Sequence, residues 1–184
     1  MMNRRAFMLS LAAAFAAPAL ANAQQMPNAD TIMRRLEAPA NRSAMPRERI
    51  DMREFKRRPE MRRMAPSIDI QSINFAFGSA EIPRSEYDKV REIGIALERI
   101  LRRRPGSIFL IEGHTDAVGS DASNLALSEQ RAASLKRLLV RQFRIAPRSL
   151  ETVGYGERYL LVNTQREEWR NRRVTLRRID DFVR

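Results

Sequence analysis

The stretch from Ile108 to Arg131 constrains the fold most, because its hydrophobic period changes partway along. Ile108-Phe109-Leu110-Ile111 is an unbroken apolar run. A strand whose apolar side chains point both ways must be covered on both faces. The run ends at Glu112-Gly113, and a polar loop follows, His114-Thr115-Asp116-Ala117-Val118-Gly119. Beyond it Leu125, Ala132, Leu135, Leu138, Leu139 and Phe143 recur at helical spacing, with Lys136, Arg137, Arg141 and Arg144 facing away from them. A buried strand that feeds an amphipathic helix is half of a β-α-β unit, so the chain must build a sheet with helices laid against it.

The flanking segments supply the other elements. Ile68, Ile70, Ile73, Phe75 and Phe77 are mostly two apart, with a slip near Gln71-Ser72, which predicts a strand with a bulge. Pro83 marks a helix start, and Tyr87, Val90, Ile93, Ile95, Leu97, Ile100 and Leu101 follow close to helical spacing. Arg102-Arg103-Arg104 complements the dipole at that helix's end, and Pro105-Gly106 breaks the chain. After Pro147, Leu150–Val153 reads as a short strand and Gly154-Tyr155-Gly156 as a loop. Gln165–Arg170 predicts a short helix. Arg172–Ile179, where Val174 and Leu176 alternate with charged neighbours, reads as an edge strand. The order β-α-β-α-β-(α)-β over residues 67–184 predicts an α/β (α+β) two-layer sandwich: a mixed sheet with both main helices on one face.

The N-terminal third differs in texture. Asn3-Arg4-Arg5 followed by the apolar run Phe7–Leu20 and by Ala21-Asn22-Ala23 reads as an export signal over residues 1–23, with a mature start at Gln24. The run is too short for a bilayer span, which needs about 20 residues. Its twin arginines leave the Sec and Tat routes equally open. The mature chain is therefore expected in the periplasm, without a membrane span. Residues 24–66 are punctuated by Pro27, Pro39, Pro46, Pro59 and Pro66, and basic residues outnumber acidic ones 11 to 6. Apart from a short helix at Asp30–Leu36, no period persists, so the stretch reads as a disordered basic tether suited to anionic lipid headgroups or other envelope components.

Composition narrows the chemistry. The formal net charge of +12 favours anionic partners. With no cysteine and a single histidine, His114, thiolate and multi-histidine metal sites are excluded. Glu112, Asp116 and Asp121 lack the ligand density of a calcium loop, and no phosphate-cradling glycine fingerprint follows the strand. His114 beside Asp116 has no Gly-x-Ser-x-Gly elbow to work with, so no catalytic residue is assigned, and His114 is expected to bond to backbone at the strand end. No metal and no cofactor is expected. The basic residues of the domain are dispersed and lack an aromatic platform, which argues against nucleic acid.

Asp116 and Arg131 remain. If the second helix starts near Ser123, Asn124 lies in its first turn and Arg131 two turns later on the same side. A carboxylate and a guanidinium at one pocket can grip an ammonium and a carboxylate of one zwitterion. They can equally form an internal salt bridge that pins the loop to the helix. Arg172 and Arg173 at the start of the last strand present further cations, either to a ligand or as a charged sheet edge.

Four ordered motifs, Glu112-Gly-His-Thr-Asp-Ala-Val-Gly119, Asn124-Leu-Ala-Leu-Ser-Glu-Gln-Arg131-Ala132, Gly154-Tyr-Gly-Glu157 and Asn171-Arg-Arg-Val174, resemble the OmpA-like C-terminal domain shared with peptidoglycan-associated lipoproteins and flagellar stator proteins. The resemblance spans roughly residues 68–179. It implies noncovalent binding of peptidoglycan through the diaminopimelate of its stem peptide. By motif position Asp116 would take the ammonium and Arg131 the carboxylate. Thr115 and Asn124 would add hydrogen bonds, Leu127 would line the pocket, and Arg172 would contact the ligand. The chain departs from the family pattern at Gly78-Ser79-Ala80, at Val118 and at Tyr159-Leu160-Leu161, which bears on pocket shape. The expectation is a nonenzymatic, wall-associated periplasmic protein of a Gram-negative envelope, placed at the wall or beside the outer membrane. The second reading is an envelope protein–protein interaction module whose basic arm binds another anionic component.

Overall fold

A computed structural model describes residues 26–40, 48–71, 73, 75 and 79–184. The export signal at 1–23 and Phe77 of the first predicted strand lie outside the described residues.

Four strands form one mixed sheet: β1 (Ser67–Ile70), β2 (Phe109–Gly113), β3 (Leu150–Gly154) and β4 (Val174–Arg178), in the order β1-β4-β2-β3. β2 pairs in parallel with β3, and β4 runs antiparallel to both β1 and β2. The last strand is therefore interior, not the edge its charges suggested. Its charged residues are paired inward: Arg178 is buried, donating to the Leu36 carbonyl and to Asp180. Alternation of charge signals an edge only when those charges meet water. The predicted helix at Gln165–Arg170 is absent, and the chain crosses that region in bends and turns.

Two long helices, α4 (Tyr87–Arg103) and α5 (Asp121–Phe143), cover one face of the sheet, as the apolar periodicity predicts. β2 shows why its run is apolar throughout. Phe109 and Ile111 enter the core beneath these helices, whereas Leu110 enters a second core on the opposite face. α5 can lie low on the sheet because two glycines leave room for it. A Cβ at Gly113 would stand 2.0 Å from the Ser128 carbonyl oxygen, and one at Gly154 would stand 2.4 Å from the Glu129 nitrogen. This close approach puts the first turns of α5 directly over the exits of β2 and β3.

The tether expectation for residues 24–66 is corrected. Its described portion holds three short helices packed on the domain: α1 (Ala29–Leu36), α2 (Met52–Arg57) and α3 (Pro59–Met64). α1 inserts Ile32 and Leu36 into the first core, against α4. Phe55 and Met61 of α2 and α3 join Leu110, Ile179 and Phe182 in the second. The Phe55 and Phe182 rings lie 5.7 Å apart, and Ile50 bridges to Val183. The prolines do not dissolve this segment; Pro59 starts α3 at the position where its missing N–H costs nothing. A few large apolar residues per turn suffice when a sheet face is available to receive them.

Candidate functional site

The parallel strands β2 and β3 end side by side, and the loop from His114 to Ser120 rises from β2 before α5 begins. Backbone bonds carry the ladder one step further: Tyr155 N donates to the Gly113 carbonyl, Thr115 N to Gly156, and His114 N to Arg173, each at 3.0 Å. Crevices outside the carboxyl ends of parallel strands are where open α/β sheets place their ligands. Ser120 caps α5 through its hydroxyl, which accepts from Ser123 N at 3.2 Å. The helix therefore starts at Asp121, two residues earlier than its composition suggests.

Asp116 is almost fully buried at 7% exposure. Its Oδ2 accepts from Arg172 Nη1 at 2.8 Å, and its Oδ1 accepts from Val118 N at 3.4 Å. The internal pair at this site is thus Asp116 with Arg172, and the Arg172 side chain keeps 43% of its surface in solvent. Arg131 is held apart. Its Nε donates to the Ser79 carbonyl at 3.2 Å, and its guanidinium lies 4.8 Å from the Phe75 ring centre. Burial and then the like charge of Arg172 disfavour its charged form, while Asp116 supports it. Arg172 Nη1 also stands 3.9 Å from the exposed Glu167, so two guanidinium groups share this field with the buried Asp116 and, at longer range, a solvated carboxylate.

The other expected residues are placed as follows. Thr115 is buried, and its hydroxyl has no hydrogen-bond partner among the described residues. Asn124 is buried in the first turn of α5. Its Nδ2 donates to Glu157 Oε2 at 2.6 Å and to the Val118 carbonyl at 3.2 Å, so it staples two loops. Leu127 is half-buried on α5. Arg173 turns away from the site: its Nε reaches Asp69 at 3.4 Å and its Nη2 the Tyr159 carbonyl at 3.0 Å. Arg172 and Arg173, in the bend just before β4, thus face different surroundings and are not one feature.

Three arrangements escaped the sequence reading. Buried Asn171 accepts from Leu161 N at 2.8 Å and Val162 N at 3.0 Å, and donates to the Val162 carbonyl, shaping the loop that departs from the family pattern. Glu112, fully buried beneath the site loop, accepts from Arg177 Nε at 2.8 Å and Arg62 Nη1 at 3.2 Å. Arg62 comes from α3, and its guanidinium lies 3.9 Å from the Tyr155 ring centre and 4.2 Å from that of Tyr159. A charged residue at the end of an apolar run was the available signal for Glu112; nothing in the sequence points from Arg62 to it. His114 bonds to backbone at the strand end as expected, through its own N–H to Arg173, while its ring nitrogens have no hydrogen-bond partner among the described residues: Nε2 stands 3.7 Å from Glu112 Oε2, and the ring centre 5.8 Å from that of Tyr155. Burial drives its pKa down against the pull of Glu112, so the ring is neutral at pH 7.

Comparison with known proteins places this arrangement. The chain is 32% identical to outer membrane porin F of Pseudomonas aeruginosa over 104 residues, which is 55% of this chain and 29% of that protein. It is 41% identical to the peptidoglycan-associated lipoprotein of the same organism over 75 residues, 40% of this chain and 44% of the lipoprotein. The matches thus span less than half the length of these relatives. The periplasmic domain of Helicobacter pylori MotB has the same fold, with a TM-score of 0.51 over 61% of this chain and 74% of that one at 18% identity. The OmpA family model matches residues 74–174, more than half of the sequence and a span that includes Thr115, Asp116, Asn124, Leu127, Arg131 and Arg172, and this protein is a member of the OmpA family.

Proposed function

We propose that this protein binds peptidoglycan noncovalently through the diaminopimelate of its stem peptide and thereby holds itself to the cell wall of a Gram-negative envelope. One observation carries the reading: a buried carboxylate, Asp116, stands among two guanidinium groups, Arg131 and the solvent-exposed Arg172, at the carboxyl ends of the parallel strands. A free amino-acid headgroup presents an ammonium and a carboxylate a few ångströms apart. Asp116 takes the ammonium, and Arg131 with Arg172 takes the carboxylate. Thr115 and the Oδ1 of Asn124 supply polar contacts, and Leu127 supplies an apolar wall. The names of the relatives, a peptidoglycan-associated lipoprotein and an outer membrane porin, support the same compartment and wall association. We read the protein as a binder rather than an enzyme, because its single histidine is buried at 3% exposure, out of a substrate's direct reach. The second reading, a protein-interaction module on a free arm, is weakened by the burial of Ile32, Leu36, Phe55 and Arg62 against the domain.

Cosedimentation with purified sacculi tests the proposal. Asp116→Ala and Arg131→Ala should each weaken binding by about 10- to 150-fold, the worth of a charge-assisted bond of about 1.5–3 kcal/mol. Arg172→Ala should weaken it less, and free diaminopimelate should compete. Undiminished binding by folded Asp116→Ala and Arg131→Ala proteins would sink the reading.

A further inference from the structure

The connections of the sheet dictate which way its helices point. β1 and β2 are both antiparallel to β4, so they are parallel to each other, and α4 joins them. β2 and β3 are parallel, and α5 joins them. Each helix must therefore run back against the strands, and the two helices run in the same direction. α1 follows suit: Asp30 pairs with Arg99 at 2.8 Å and Glu37 with Arg103 at 3.5 Å, so the two helices advance together. Three helix C-termini consequently lie at one end of the molecule. The candidate ligand site lies at the other, beyond the first turn of α5, a helix of 23 residues that spans about 35 Å.

That far pole is strongly basic. α1 ends in Arg34-Arg35, α4 in Arg102-Arg103-Arg104, and α5 in Arg141 and Arg144, with Arg148 just after. All are exposed. Glu98 pairs with Arg102 and Glu37 with Arg103, while Asp180 and Asp181, which follow β4 at this end, are occupied by buried Arg178. Arg35, Arg104, Arg141, Arg144 and Arg148 form no ion pair among the described residues. One cation per helix end would complement the dipoles; this number exceeds that need.

We infer that this pole docks on an anionic phospholipid surface, so that the molecule presents its ligand site outward and its helix ends to a membrane. A protein partner fits less well. Interfaces between proteins carry an apolar or aromatic centre, and the exposed large apolar residues among the described ones, Tyr87, Val118 and Leu161, all lie outside this cluster. A shallow groove lined by Ala133, Val140 and Pro147 lies beside Arg141, but no large exposed apolar side chain stands among the guanidinium groups, and such a cluster matches a diffuse sheet of phosphates. The inference rests on the topology and holds whatever occupies the site at the opposite end.

Vesicle cosedimentation of the full-length protein tests it, with phosphatidylglycerol-containing vesicles set against phosphatidylcholine alone. Insertion of the apolar stretch Phe7–Leu20 would register in both mixtures, so the difference between them reads the pole. A quadruple variant, Arg35→Gln, Arg104→Gln, Arg141→Gln and Arg148→Gln, should lose the anionic-lipid preference on the order of 100-fold. The preference of the parent protein should fall as salt rises. The variant's thermal melting and sacculus binding should stay unchanged, which separates this result from misfolding and from failure of the wall-binding reading. Equal binding to both vesicle types by the parent protein overturns the inference. So does an unchanged preference in the folded variant, or binding to polyglutamate or duplex DNA with no preference for anionic vesicles.

Discussion

Glu112 and Asp116 are four residues apart and meet the same kinds of neighbours, yet they end in opposite states. Each carboxylate faces two arginines, Arg62 and Arg177 for Glu112, Arg172 and Arg131 for Asp116. Around Glu112 the arrangement is closed. Both arginines donate to Oε1, two tyrosine rings cover Arg62, and Arg177 also donates to the Arg62 carbonyl at 2.7 Å. Around Asp116 it is open. Arg172 remains in solvent, and Arg131 is held by a carbonyl and a ring rather than by an acid. The buried cluster pairs Glu112 Oε1 with both arginines and fixes a loop, while Glu112 Oε2 and Arg62 Nε stand without a hydrogen-bond partner among the described residues. The open one leaves Arg172 in contact with water. The difference is set by which element closes over the loop: α3 delivers Arg62 beneath it, and nothing comparable crowns Asp116 among the described residues.

If the lower cluster is the structural one, breaking it should cost stability. Arg62→Ala removes a buried cation and leaves Glu112 with Arg177 alone. Loss of one partner of a buried pair costs about 3–5 kcal/mol, a fall in melting temperature of roughly 10 °C for a chain of this size. Arg172→Ala, at the open cluster, should cost under about 1 kcal/mol. Thermal unfolding followed by circular dichroism compares them. Equal losses would erase the distinction between the two sites.

Acid should act on the sealed cluster in the same sense. Burial raises the Glu112 pKa, but His114, Arg177 and Arg62 together outweigh it and bring the group from 4.5 to about 2. A folded pKa below the unfolded one means the stabilisation is complete above about 4.5 and disappears as pH falls toward 2. The expected loss is about 3 kcal/mol. His114 contributes in the same direction at higher pH. Its folded pKa is depressed, so the unfolded chain takes up its proton first, and stability begins to fall as pH drops below about 6.5. A melting series from pH 7 to pH 2 should show both phases, and Glu112→Gln should flatten the lower one. A flat profile for the parent protein would show that the cluster is not closed.

How much of this was legible beforehand depends on range along the chain. Local patterns placed β2, α4 and α5, because hydrophobic period and capping residues act over a few turns. The motif residues marked Thr115, Asp116, Asn124 and Arg131, all within one loop and one helix. What the sequence hid lies in long-range partners. Arg62 to Glu112 spans 50 residues, and Arg178 to the Leu36 carbonyl spans 142. Proline and arginine density made residues 24–66 look disordered because a composition average dilutes Ile32, Leu36, Phe55 and Met61, whose burial holds the described part of that segment in place. Removing the whole stretch is therefore not a clean test of a tether; it would strip both cores.

The smallest expected effect probes the boundary between the two clusters at Thr115. Its backbone continues the ladder of β2, and its buried hydroxyl lacks a partner among the described residues, as do Glu112 Oε2 and both ring nitrogens of His114. Thr115→Val keeps the shape and removes only that hydroxyl. An unpaired buried hydroxyl is a cost to the folded chain, so stability should hold or rise by up to about 1 kcal/mol. If the group serves the ligand, sacculus affinity should fall about fivefold, the worth of one neutral hydrogen bond. Melting and cosedimentation on the same preparation separate the alternatives. A destabilised variant with full sacculus binding would assign Thr115 to the sealed cluster and move the floor of the ligand site up to Asp116.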